Sequence, residues 1–341
     1  MPPNVTPATG SSTAVTLPTA GSSSVRSRPA GRVDPRREKE PAVTCTRPHT
    51  LVTGASSGIG RASALRLAAA GQHVYAGVRT DADAAALTEA AAGWELTPVI
   101  LDVTDPVQIA AAATTVADHV GPAGLDGLVD NAGIGVAAPV ELLPLDTFRR
   151  LLEINLVGQL AVTQTFLPLL RSARGRIVVI STIGVRFRPP FAGPLDATKA
   201  ALAELSHALR QELAPWGIRV ILIEPASIAS PAADKVARDA EATLAKADPA
   251  RRALYADTFT RMVALVVRRE RNGSPPEVAA ETIVRALTAA RPRDLYRTGR
   301  FARRMAALSL LPTPILDGLR RRLFGLPAPG SLTQPEPVRR T

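Results

Sequence analysis

The chain has 341 residues, 46% of them hydrophobic and only 4% aromatic, and a formal net charge of +11. A single cysteine, Cys45, excludes an internal disulfide and a cysteine-based metal cluster, and the four histidines show no metal-ligand spacing. The charge sits at the ends, +4 over 1–50 and +8 over 291–341 against −1 for the remainder, which argues against a nucleic-acid-binding groove in the folded body.

Residues 1–46 are rich in Pro, Ser, Thr, Ala and Arg, with almost no large apolar side chains. Such a segment buries too little surface to offset its ordering entropy and is expected to be a disordered extension. It has no compact apolar block of the kind a secretory signal needs. No run of 18 apolar residues occurs, so no membrane span is expected. The cysteine usage fits a reducing, cytoplasmic setting.

The first folded element is a short strand over 50–53. It runs into Thr53-Gly54-Ala55-Ser56-Ser57-Gly58-Ile59-Gly60, which opens a helix over 59–70. Gly54 permits a tight turn. Gly58 and Gly60 carry no β-carbon, so a pyrophosphate can approach the backbone and the helix can pack close to the strand. The helix N-terminus offers N–H groups and a partial positive charge to that anion. A glycine turn alone also suits a loop with no ligand; the strand-to-helix setting is what favours the phosphate.

Further strands are expected over 73–78, 97–101, 125–130, 177–181 and 219–224, with helices over 83–92, 107–119, 146–171 and 196–214 between them. A long helix-leaning excursion follows over 226–272, then a helix start at Ser274-Pro275-Pro276-Glu277 and an edge strand over 294–298. Strands alternating with helices predict an α/β fold: one doubly wound parallel sheet of Rossmann type, helices on both faces, and ligands at the C-terminal ends of the strands. The domain organisation expected is a nucleotide-binding and catalytic domain over 47–300 and a basic, amphipathic helical extension over 301–341. Pro312 and Pro314 should break that extension into two short helices.

Further segments follow in order: Asp102-Val103 after the third strand, Asp130-Asn131-Ala132-Gly133 after the fourth, Asn155-Leu156-Val157-Gly158, Ser181-Thr182 after the fifth, Asp196-Ala197-Thr198-Lys199-Ala200-Ala201, and Glu224-Pro225-Ala226 after the sixth. With the glycine turn, these segments in their order and spacing resemble the short-chain dehydrogenase/reductase family, over roughly 48–300, and within it the retinol and hydroxysteroid dehydrogenase branch. The resemblance implies that Gly54, Ser56, Ser57, Gly58, Ile59, Gly60, Asp102, Val103, Asn131, Ala132, Gly133, Lys199 and Pro225 contact a nicotinamide dinucleotide. It implies that Thr182, Lys199 and Asn155 are catalytic. It also implies pairing into a homo-oligomer through the helices over 146–171 and 196–214.

The chain departs from the family where the chemistry is most sensitive. The family's catalytic tyrosine lies four residues before the lysine, and that position is Leu195; the serine position is Thr182. Threonine keeps a hydroxyl, but leucine has no proton to give. Loss of a general acid typically lowers a rate by about 10²–10⁴. Of the three tyrosines, Tyr75 should lie in the second strand away from the substrate, and Tyr255 lies in the excursion that covers the pocket. Asp196 should turn about 100° away from the Leu195 direction and, as an ordinary carboxylate, be a poor acid. Ala226 in place of the family's glycine should restrict that turn.

Two functions follow. One is an oxidoreductase that moves hydride between NADP(H) and a lipophilic carbonyl or alcohol, using Thr182, Lys199 and ordered water. The other is an NADP(H)-binding pseudoenzyme acting as a sensor or partner subunit. NADP(H) is expected over NAD(H), because Val78 stands where NAD-selective relatives place an acid and Arg79 follows it, ready to pair with a 2′-phosphate. The expected partner is a small-molecule substrate. The apolar and arginine-rich stretch over 301–326 also suits peripheral contact with an anionic membrane.

Overall fold

The computed structural model describes residues 47–332. The expected disordered extension over 1–46 and the last nine residues lie outside that range.

Seven parallel strands form one sheet: β1 (His49–Val52), β2 (His73–Val78), β3 (Leu96–Ile100), β4 (Gly127–Asp130), β5 (Arg176–Ile180), β6 (Arg219–Pro225) and β7 (Leu295–Thr298). Their order is β3-β2-β1-β4-β5-β6-β7. The order reverses between β1 and β4, which opens a crevice beyond their C-terminal ends. The strands are short, and the inner ones, β1, β2, β4, β5 and β6, are almost wholly buried, as a sheet covered on both faces requires, while the edge strands β3 and β7 are only partly buried. One apolar layer packs Leu51, Leu128, Ile177 and Leu222 beneath α3 (Pro106–Val120) and α5 (Gly158–Ala173). The other packs Val52, Val129, Val178 and Ile221 against α1 (Gly58–Ala69) and α10 (Pro276–Thr288). The remaining early helix, α2 (Asp81–Ala90), begins at Thr80, whose hydroxyl accepts from the Asp83 N–H.

The strand and helix expectations hold to within three residues, with one exception. The helix expected over 146–171 is broken into α4 (Leu145–Leu152), a π-helical turn (Glu153–Val157) and α5. Two local demands meet there. Asn155 turns inward to hold a loop, and Gly158 passes so close under Val103 that a β-carbon would stand 2.6 Å from its carbonyl oxygen. A π-turn at a functional site is a common way to add that extra residue.

Beyond β5 the chain makes the short helix α6 (Gly184–Phe187) and the long α7 (Gly193–Leu213). The excursion after β6 becomes α8 (Ala232–Lys246) and α9 (Pro249–Arg271). The described part of the C-terminal stretch forms α11 (Ala302–Leu308) and α12 (Thr313–Phe324), divided at Pro312 as expected. Leu316 and Phe324 of α12 pack with Phe187, Phe259 and Met262 in a third apolar cluster. Arg320 fixes that packing: its Nε donates to the Phe187 carbonyl at 2.8 Å, and its guanidinium pairs with Asp317. Among the described residues no helix is long and apolar enough to cross a membrane.

Candidate active site

The glycine turn and the Asn131 turn are stitched together across the β1–β4 crevice. Thr53 Oγ1 accepts from the N–H groups of Asn131 and Ala132, both at 3.0 Å. Asn131 Nδ2 donates to the carbonyls of Thr53 and Gly54 at 2.9 and 3.2 Å. Gly54 (φ +63°) has room only for a hydrogen, since a β-carbon would lie 2.8 Å from Ala132 Cα. On Gly60 a β-carbon would overlap the Gly54 carbonyl oxygen. Gly60 therefore packs the helix on the turn, and Gly58 (φ +52°) faces open space bounded by Ser230.

This cradle fits a dinucleotide diphosphate. Ser57 stands at the N-cap of α1, yet its side chain makes no capping bond, so the first-turn N–H groups carry no side-chain partner. A cavity of about 510 Å³ starts here and runs along the strand ends. Gly54, Ser56, Ser57, Gly58, Ile59, Arg79, Asp102, Val103, Asn131, Ala132, Gly133, Thr182, Lys199 and Pro225 all border it. Gly60 and Asn155 do not.

At the β2–β3 edge, Asp102 feels the charges of Arg79, just past β2, and of Arg150 from α4. Burial acts to raise the Asp102 pKa, but the N–H and hydroxyl of Thr104 and the two arginines hold it below the usual value. The sequence reading did not include Arg150. Its position is set by the break before the π-turn, for which no local sequence signal stands out.

Lys199 sits at the centre. It is buried, its Nζ donates to the Ile180 carbonyl at 2.8 Å, and its helix is tied back by Ser181 Oγ, which donates to the Lys199 carbonyl at 3.2 Å. Burial pushes the Lys199 ammonium down, against the pull of Asp130. Burial pushes Asp130 up, only partly countered by the Thr163 hydroxyl and Lys199.

Asn155 is fully buried and clamps a loop. Its Oδ1 accepts from Ile134 N–H at 2.8 Å, while Nδ2 donates to the Ile134 carbonyl and to Thr198 Oγ1. Thr182 Oγ1 accepts from the Gly184 N–H at 3.1 Å, which leaves the hydroxyl proton to donate elsewhere. The segment after Thr182 is anchored by Arg186, whose Nε donates to both oxygens of the buried Glu224; Arg297 holds the same carboxylate.

Tyr255 does not border the cavity; its hydroxyl donates to Glu141 at the surface. Two sequence expectations are corrected here. Ala226 does not strain its turn, because the positive φ falls on the next residue, Ser227 (φ +42°). Asp196 is no ordinary carboxylate. It borders the cavity beside Leu195, its Oδ2 is buried without a hydrogen-bond partner, and burial pushes its pKa up to about 7. The helix does turn it away from Leu195, but towards Gly184 and the Thr182 loop.

The far end of the cavity is apolar. Met262, Val263, Val266 and Val267 of α9 meet Phe187, Met305 and Phe324 there. The spacing of the α9 residues is the stripe of a buried helix face, readable in the sequence. Glu270, at the end of that stripe, is the polar exception, and burial pushes its pKa up to about 7.

Comparison with known proteins agrees with this geometry. The family model described as short chain dehydrogenase matches residues 48–241. Retinol dehydrogenase 5 of Mus musculus is 35% identical over 285 residues, covering 82% of this chain and 89% of the relative. Estradiol 17-beta-dehydrogenase 2 of Mus musculus is 30% identical over 295 residues, covering 83% and 76%. Among solved structures, a short chain dehydrogenase from Burkholderia cenocepacia J2315 in complex with NADP superposes with a TM-score of 0.61 at 25% identity, over 80% of this chain and 97% of that one. A seven-stranded Rossmann sheet, a glycine cradle at its switch point and these likenesses agree: the chain belongs to the short-chain dehydrogenase family of oxidoreductases, in its retinol- and hydroxysteroid-dehydrogenase-like branch.

Proposed function

We propose that the protein is an NADP(H)-dependent oxidoreductase that interconverts a carbonyl and an alcohol on a lipophilic small molecule. The observation that carries this reading is the single cavity joining the glycine cradle to an apolar chamber, with Thr182 and Lys199 between the two. A bound nicotinamide supplies or accepts the hydride. The chain's own residues do the rest. The uncapped first turn of α1 holds the diphosphate. Asp102 and Val103 border the adenine end, and Arg79, with Arg150 nearby, pairs with a 2′-phosphate. Lys199 Nζ reaches towards Gly133, where it holds the nicotinamide ribose. Thr182 donates its free hydroxyl proton to the substrate oxygen and polarises the carbonyl. Apolar walls at the far end select a hydrocarbon-rich substrate and exclude water.

Leu195 favours a second reading, an NADP(H)-binding protein that no longer turns over. NADPH oxidation with a panel of carbonyl compounds, for the native chain and Leu195→Tyr, separates the two. Turnover by the native chain supports the enzyme. Turnover by the variant alone, with both binding NADPH, supports the pseudoenzyme.

The other expectations stand as proposals too. Exposed Leu145, Val157 and Leu205, on and beside the helices that pair in relatives, support a homo-oligomer. Exposed Leu310, Leu311 and Ile315 between Arg303, Arg304 and Arg322 support peripheral contact with an anionic membrane. The lone cysteine supports a cytoplasmic setting.

A further inference from the structure

The position that should deliver a proton holds leucine, so another group must do so if the oxidoreductase reading, on which this inference rests, is right. The titratable side chains bordering the cavity are few. Asp102 lies at the adenine end, held by Thr104 and two arginines. Arg79 and Arg269 do not release protons at neutral pH. Lys199 is engaged with the Ile180 carbonyl. Glu270 lies at the end of α9, where its carbonyl adjoins Gly273 beside Ser227. Asp196 is the one set against the Thr182 loop, through Gly184.

Its placement is specific. Leu195 and Asp196 are consecutive on α7 and diverge. Leu195 faces Gly135, where its Cδ2 would stand 3.9 Å from an added β-carbon. Asp196 presses its Oδ1 against Gly184, where any β-carbon would overlap it. Gly184 is the residue whose N–H occupies Thr182 Oγ1 at 3.1 Å. The carboxyl and the Thr182 hydroxyl therefore flank one short turn on the wall of the same cavity. Asp196 Oδ2 has no hydrogen-bond partner, and a buried, unpartnered carboxyl is favoured in its neutral, proton-carrying form.

We propose that Asp196 is the proton donor of this site, taking over the role that the family gives to the tyrosine. In the reducing direction the carboxyl O–H bond breaks as an O–H bond forms on the substrate oxygen. The carbonyl carbon takes hydride, and with it two electrons, from the reduced nicotinamide, which is oxidised. Asp196 is left as a carboxylate and regains its proton from solvent; the alcohol-to-carbonyl direction reverses each transfer.

The charged groups around it leave this role open. Arg186 and Arg297 are held by Glu224, and Lys199 by Ile180. Asp234 pairs with Arg271, Lys235 with Asp239, and Arg320 with Asp317. Arg269 and Glu270 border the cavity as well. None of them sets the direction of the Asp196 shift; burial does.

The test uses the full chain, with Asp196→Asn and Asp196→Glu. Infrared difference titration of the cofactor-free protein should show a protonated carboxyl that ionises near neutral pH and is missing from Asp196→Asn. The kcat/KM for carbonyl reduction should fall as pH rises through the same midpoint. Asp196→Asn should lose about 100-fold or more in kcat, with NADPH affinity unchanged by calorimetry, and Asp196→Glu should recover part of the rate with its pH dependence. A carboxyl that ionises near pH 4, or an Asp196→Asn rate within a few fold of the native one, overturns the assignment while leaving the oxidoreductase standing. Should Asp196→Asn fail to fold, a flat pH profile in both the native chain and Asp196→Glu overturns it equally. Absence of turnover by the native chain overturns both readings.

Discussion

Lys199 Nζ donates to the Ile180 carbonyl at 2.8 Å, so the helix of the site is tied to the strand end that carries Thr182. The same ammonium pulls on buried Asp130, against the upward push of burial on its carboxyl. Lys199→Met keeps the volume and removes both links. NADPH affinity should drop roughly tenfold, about the worth of one charge-assisted hydrogen bond, and thermal stability should fall as well. Fluorescence titration with NADPH and a melting curve check the two effects together.

Asp196 should set a stability dependence on pH that runs opposite to the usual carboxylate pattern. Its folded pKa is raised from 3.8 to about 7, so the native state holds the proton more tightly than the unfolded chain. The stability it contributes is complete below about pH 4 and is lost as pH rises through 7. At pH 8 the ionised carboxylate costs up to about 4 kcal/mol relative to low pH. Asp196→Asn should therefore raise the Tm at pH 8 and lose that advantage at pH 4. Denaturation midpoints at the two pH values measure the difference, and equal shifts at both would contradict it.

Two glycine replacements should act in opposite directions. Gly60→Ala drives a β-carbon into the Gly54 carbonyl and to 2.5 Å from Asn131 Nδ2. It should cost about 1–3 kcal/mol and abolish NADPH binding. Gly318→Ala lies within α12, where the new methyl would meet the Arg321 guanidinium only at 3.8 Å. It should stabilise the fold by about 0.5–1 kcal/mol and leave binding unchanged. Chemical denaturation resolves both signs.

Arg79 should decide between the two coenzymes. Arg79→Ala is expected to weaken NADPH by tenfold or more and leave NADH unaffected, because only the former carries the 2′-phosphate. Equal losses for both coenzymes would mean that Arg79 contributes general charge and does not select.

The sheet is legible because most strands are short apolar runs closed by a turn, and because Gly54 and Asn131 follow the ends of β1 and β4. What escaped the sequence depends on contacts between distant segments. The π-turn at Glu153–Val157 arises from Asn155 meeting Ile134 and Gly158 meeting Val103. Asp196 reads as a solvated helix carboxylate until Gly184 and the Thr182 loop enclose it. The helical period alone turns it away from Leu195; what encloses it on that side comes from elsewhere in the chain. Likewise, nothing local in the run Leu316–Phe324 says that it roofs the apolar chamber, although its Arg320 and Phe324 do so by meeting Phe187.

The grip of the glycine cradle on a nicotinamide dinucleotide is measured by isothermal calorimetry of the folded native chain with NADPH and NADH. Saturable one-site binding of NADPH, tighter than NADH, is the result expected. No heat with either coenzyme, on protein whose circular dichroism and cooperative melt show it to be folded, would contradict it.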